Sequence, residues 1–262
     1  MKIETNTHEK NILRLAEEHK ELVVLSADLG SSCEVKKFRA TYPDRYFTLG
    51  IAEQNMCSWA AGLAREGYRP FIHTFSVFLY RRILDQVEMS VAYPNLPVVF
   101  CGFVPGITTP GGVSHQSIND IAVMRSVPNM TIFDVGDATD IDSVLDLAYK
   151  INGPVYIRQL RKDVPRLFPA NEPMVFNRAR VLSEGTDVVI LSSSICTEEA
   201  MRATAALKAK GVSVQHMHIT TLKPFTDPTI VEAIKKCKYG VIICTMTGVQ
   251  YWSKLEEVSE RG

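Results

Sequence analysis

Strand and helix alternate along almost the whole of this 262-residue chain, and the alternation predicts an α/β protein of two doubly wound parallel-sheet domains. Two observations carry that prediction. The apolar run at residues 22–25 is continuous rather than alternating, the mark of a strand buried on both faces. It follows a stretch of helical period at residues 8–19, where Ile12, Leu13, Leu15 and Ala16 stand among charges. The alternation runs to about residue 160, lapses in a stretch rich in Pro, Arg and Glu, and resumes near Asp187. The expected division is a domain over 1–163, a linker over 164–175 and a second domain over 176–262.

Composition excludes several function classes. Lys+Arg and Asp+Glu are both 29, so the net charge is zero and the basic excess demanded by a nucleic-acid partner is missing. The N-terminus has no apolar signal core, and no apolar run approaches the roughly 18 residues of a membrane span. The six cysteines are scattered without a Cys-x-x-Cys, which fits reduced thiols in a cytoplasmic protein. No zinc spacing is visible, so no metal ligand is assigned. His216 and His218 share one strand face and read as structural.

In the first unit, strand 22–25 ends in Ser26-Ala27-Asp28-Leu29-Gly30-Ser31-Ser32, which puts small and polar side chains at the sheet edge where open parallel sheets bind ligands. Either serine could instead cap a helix at 34–40. A short strand at 46–49 ends in Gly50, and the helix expected at 52–64 carries Glu53 in its first turn. Taken locally, that acid complements the helix dipole. A strand at 69–75 leads into a helix at 77–93 that holds Phe78, Arg81 and Arg82 near its start. After a β-rich run at 97–104, residues 105–117 form a loop dense in Gly and Pro that contains His115. Strands at 130–135 and 155–160 flank a helix at 138–151.

The second unit reads as strands at 187–192, 212–219 and 239–244, with helices at 197–209 and 228–237. A polar tail, 245–262, stands where a covering helix is expected, so this domain looks shortened.

No Gly-x-Gly-x-x-Gly, Walker lysine or Gly-x-Ser-x-Gly pattern is present. What the sheet edge does offer is Asp28 and Ser32, Glu53, the stretch from Phe75 to Arg81, and His115. A carboxylate, two aromatics and an imidazole suit a flat cofactor and a proton transfer. Residue chemistry alone leads no further.

Four motifs, in order, are similar to the C-terminal half of a transketolase: Leu49-Gly50-Ile51-Ala52-Glu53-Gln54-Asn55, Thr74-Phe75-Ser76-Val77-Phe78, Gly111-Gly112-Val113-Ser114-His115-Gln116 and Leu222-Lys223-Pro224-Phe225. More narrowly, the chain resembles the separate C-terminal subunit of a split transketolase, over residues 5–243. The resemblance implies a pyrimidine-binding domain followed by a shortened C-terminal domain, with thiamine diphosphate as cofactor and Mg²⁺ held mainly by a partner. It implies that Glu53 hydrogen-bonds the aminopyrimidine, that Phe78 stacks on it with Phe75 beside it, and that Asp28 and Arg81 belong to the cofactor region. His115 would act on a substrate oxygen, and Ser32 and Arg161 would hold the sugar phosphate.

Three positions depart from the family pattern. Gly111 stands where an aspartate is usual, Phe103 where a second substrate histidine is usual, and Thr5 or Asn6 where a phosphate-binding arginine is usual. These losses predict an unusual donor ketose, a branched or modified sugar phosphate such as apulose 4-phosphate, in place of xylulose 5-phosphate. The family's Gly-Asp-Gly with a downstream Asn has no match; Gly136-Asp137-Ala138 reads as a helix cap. The expected assembly is therefore a two-plus-two heterotetramer with an N-terminal transketolase subunit. Two other readings share the pattern: the beta subunit of a 2-oxoacid dehydrogenase, and a silent chain that regulates a transketolase.

Overall fold

A computed structural model describes residues 2–246 and 248–253. A seven-stranded sheet dominates it. In spatial order its strands are β12 (Thr221–Lys223), β6 (Thr131–Asp134), β7 (Val155–Gln159), β5 (Val99–Phe103), β4 (Arg69–Phe75), β2 (Leu22–Ser26) and β3 (Tyr46–Thr48). All pairings from β6 to β3 are parallel, while β12 joins antiparallel from the second half of the chain. Helices α1 (Thr7–Glu18), α2 (Lys36–Thr41), α3 (Glu53–Arg65), α4 (Ser76–Arg81), α5 (Asp120–Ser126) and α6 (Ala138–Lys150) connect and cover it. Strands β2, β4, β5, β6 and β7 are buried along their whole length, which is why their sequences do not alternate. Strand order reverses between β2 and β4, so the crevice that open sheets use for ligands lies at their carboxyl ends.

The second sheet has the order β14 (Gly248–Ser253), β13 (Gly240–Thr245), β10 (Val188–Ser192), β11 (Val214–His218) and β9 (Arg180–Ser183). Its centre is parallel as expected, and β9 and β14 are antiparallel edges. Helices α7 (Cys196–Ala209) and α8 (Pro228–Lys236) pack against it over two small apolar clusters, built on Val189 with Met217 and on Ile190 with Val214. Residues 248–253, expected to be part of an unpaired tail, extend the sheet beside β13. The tail from 254 onward lies outside the described residues.

Three expectations need correction. The stretch at 164–175 begins with a strand, β8 (Val164–Arg166), paired antiparallel with β1 (Lys2–Glu4). The helix expected over 77–93 breaks after α4 and resumes as a π-helical segment, Gln86–Ala92. Neither Ser31 nor Ser32 caps α2, whose cap position is Val35 with no side-chain bond. The two domains also meet through buried polar contacts. Asp134 of β6 accepts a hydrogen bond from Ser193 (2.8 Å), and Asp140 of α6 meets His218 Nε2 at 2.8 Å. The Gly136-Asp137-Ala138 string is structural as read: Asp137 Oδ1 accepts from the Asp140 N–H, and Oδ2 accepts from Leu167 and Phe168 N–H. His216 and His218 are buried, each ring held by hydroxyls or a carboxylate. No helix of the described residues is long and apolar enough to cross a membrane, and no disulfide is present among them.

Candidate active site

Each candidate named from the sequence is the last residue of a strand of the large sheet or lies on the segment that follows one, and so belongs to the sheet's carboxyl edge. Glu53 opens α3 five residues after β3, and its side chain is only 4% exposed. The cap position of α3 is Ala52, which makes no side-chain bond, and Glu53 stands in the first turn; its Oε1 accepts a hydrogen bond from Arg82 Nη1 at 2.9 Å. The Arg82 guanidinium also lies 3.9 Å from the centre of the Phe78 ring, so one cation joins the buried acid to the aromatic.

Strand β4 runs straight into α4, which sets Phe75 and Phe78 side by side with ring centres 5.9 Å apart. His115, half-buried, approaches both edge-on, at 6.1 Å from Phe75 and 5.6 Å from Phe78. Its Nδ1 pairs with the Ser114 hydroxyl at 2.9 Å. The glycine at 111 has a steric reason: a Cβ there would come within 2.7 Å of the His115 Cβ. Any side chain in its place would crowd the imidazole, whose Cγ lies 2.8 Å from the same point.

Arg161 closes the other side. Its guanidinium sits 5.5 Å from the Phe75 ring, and Nη1 donates to the Ser32 backbone carbonyl at 3.1 Å. Arg81 is exposed and donates to the Val113 carbonyl at 3.0 Å, pinning the His115 loop. Glu53, Phe75, Phe78, His115, Arg161 and Ser32 thus form one connected group, with Arg81 bracing its rim. Asp28 stands apart. Held at φ 58, it is exposed in a groove of about 220 Å³ shared with Ser31, Ser32, Lys36 and Arg39.

The sequence reading singled out Arg81 and passed over Arg82. The helical interval from Phe78 to Arg82 was the available signal, since residues i and i+4 share a helix face. It also passed over what lies behind Phe103. That ring is fully buried and packs edge-on against His8 at 5.0 Å, and His8 Nε2 meets His73 Nε2 at 2.9 Å. His73 Nδ1 is 3.0 Å from the Phe71 carbonyl and so carries the proton, which makes His8 the Nε2–H donor. Burial pushes His73 down to about 4 and His8 well below the ordinary range, so both are neutral. Among the described residues, His8, His73 and Cys101 are the one group of three with ligand atoms close enough, within 4.8 Å, to hold a metal ion. No carboxylate accompanies them.

The transketolase pyrimidine-binding domain model matches residues 2–166 and the transketolase C-terminal domain model residues 177–250. A 6-deoxy-6-sulfo-D-fructose transketolase subunit of Clostridium sp. (strain MSTE9) is 36% identical over 232 residues, covering 88% of this chain and 72% of that relative. A 1-deoxy-D-xylulose-5-phosphate synthase of Clostridium botulinum is 34% identical over 258 residues, and there the chain spans only 41% of the relative's length. Among solved structures, a split-gene transketolase described as an inactive beta4 tetramer superposes with a TM-score of 0.83 at 36% identity, covering 91% of this chain and 78% of that one. The Campylobacter jejuni transketolase shares the fold, with a TM-score of 0.82 at 20% identity over 99% of this chain and 45% of its own. This chain belongs to the transketolase family, and carries both its pyrimidine-binding and its C-terminal domain.

Proposed function

We propose that this chain is the C-terminal subunit of a thiamine-diphosphate-dependent transketolase that moves a two-carbon ketol unit from a ketose phosphate to an aldose phosphate. One observation carries the reading: a buried carboxylate at a helix start, tied through Arg82 to an aromatic ring that an imidazole approaches edge-on. An aminopyrimidine fits that arrangement, since Phe78 and Phe75 offer rings to stack on and Glu53 an acceptor for a ring N–H. When bound, thiamine diphosphate supplies the electron sink for breaking a carbon–carbon bond next to a carbonyl. Glu53 takes up and returns the proton on the pyrimidine side, and Arg82 fixes its orientation. His115, steadied by Ser114, serves a sugar oxygen, while Arg161 and Ser32 lie where a sugar phosphate would end. Arg81 and Asp28 belong to the rim of the cofactor region.

The diphosphate and Mg²⁺ are assigned mainly to an N-terminal partner subunit, in a two-plus-two heterotetramer. Support comes from the likeness to a transketolase subunit and to a split-gene transketolase. The donor is inferred to be a branched or modified ketose phosphate such as apulose 4-phosphate, because Gly111 and the buried Phe103 withdraw two polar contacts from the sugar. A second reading, the beta subunit of a 2-oxoacid dehydrogenase, takes a 2-oxoacid as donor, and the likeness to a 1-deoxy-D-xylulose-5-phosphate synthase keeps activities other than ketol transfer in view.

The test is to combine the chain with its N-terminal subunit, thiamine diphosphate and Mg²⁺, and to compare apulose 4-phosphate, xylulose 5-phosphate and pyruvate as donors. Turnover only with pyruvate sinks the transketolase reading, and a clear preference for xylulose 5-phosphate sinks the unusual donor. Glu53→Ala is expected to cut turnover by about 10²–10⁴-fold. Unchanged turnover would assign the chain a silent, regulatory role.

A further inference from the structure

We infer that Gln159 is a substrate-reading residue, its side-chain amide recognising a hydroxyl of the sugar; this rests on the transketolase reading. Gln159 ends β7 and is fully buried. Neither its Oε1 nor its Nε2 has a hydrogen-bond partner among the described residues. Burying an unpaired amide costs stability that a leucine or methionine of similar volume would not, so a purely structural role does not explain it.

Its position supplies the reason. In the parallel ladders, Gln159 is the register partner of Phe103, which in turn is the partner of Phe75. Side chains so paired share one face of the sheet, so Gln159 stands in the same row as the aromatic beside His115. It lines a cavity of about 240 Å³ together with Thr108 and Pro110 of the His115 loop and with Arg161, Lys162 and Asp163.

The chemistry of that wall is divided. A guanidinium and an ammonium only donate hydrogen bonds and match an anionic oxygen. A neutral amide both donates and accepts, and its natural complement is a hydroxyl, which does the same. With two cations against the one carboxylate of Asp163, the cavity suits a short polyol with an anionic end, its hydroxyl on Gln159 and its anion on the cations. Because Phe103 and Gly111 withdraw two polar contacts, Gln159 becomes the residue that restores one from the neighbouring strand.

The experiment measures Tm of the full chain alone, with inorganic phosphate and with ribose 5-phosphate at equal concentration, for wild type and Gln159→Leu. Turnover of the assembled complex is measured in parallel. The wild-type chain is expected to gain more from ribose 5-phosphate than from inorganic phosphate. In Gln159→Leu that surplus should vanish, the unliganded Tm should match or exceed wild type, and kcat/KM should fall at least about tenfold. A lower unliganded Tm in Gln159→Leu, a retained surplus, or no surplus in the wild-type chain would each overturn the assignment. A wild-type complex that transfers no ketol unit refutes the transketolase reading instead, while the Tm comparison still decides Gln159.

Discussion

Acid should destabilise this protein through its buried imidazoles, and His73 allows the size of the effect to be worked out. In the unfolded chain its pKa returns to 6.5, whereas burial holds it at about 4 in the fold. Between those values the unfolded state binds the extra proton, so stability is fully present above pH 6.5 and is lost as pH falls toward 4. Linkage puts the loss between pH 7.5 and pH 5 on the order of 2 kcal/mol for this one group. His8 acts in the same direction. Opposing them, burial raises Asp134, Asp137 and Glu34, whose proton uptake favours the folded state as pH falls. The informative quantity is therefore a difference between two proteins. Urea unfolding of wild type and His73→Leu at pH 7.5 and pH 5 should show the variant losing about 2 kcal/mol less on acidification. Parallel pH dependences in the two proteins would refute the reasoning, whatever their absolute stabilities.

Further outcomes follow from the same geometry. Arg158 is fully buried between Asp120, at 2.8 Å, and Asp134, at 3.0 Å. Arg158→Met should cost on the order of 3–5 kcal/mol in urea unfolding, because it strands two buried carboxylates. Gly111→Ala places a Cβ against His115, and should leave unfolding within about 1 kcal/mol of wild type, since the loop is exposed. Turnover of the assembled complex should nevertheless fall at least about tenfold, as a misplaced catalytic group predicts.

How much of this was legible in the chain differs between its levels. The continuous apolar run at 22–25 identified a buried parallel strand, because a strand covered on both faces needs no polar alternation. Strand ends followed by small, polar or acidic residues marked the carboxyl edge, and the ordered motifs named the family. Local patterns failed where a distant segment completes an element. Strand β12 enters the large sheet from the second half, and β8 finds its partner at the N-terminus. Strand β14 lies beside β13 in a stretch whose composition reads as a polar tail.

By itself the sequence determined the fold class, the family and the side chains available at the sheet edge, because periodicity and motif order are properties of neighbours along the chain. Only the tertiary structure decided which of those side chains meet. It gave Glu53 to Arg82, placed His115 against two phenylalanines beside a glycine at 111, and left Asp28 exposed in a groove that it shares with Ser32. It also showed that Phe103 covers a pair of neutral imidazoles and that the Gln159 amide is buried without a partner among the described residues. Such pairings depend on packing between strands and helices tens of residues apart, and no local pattern encodes that distance.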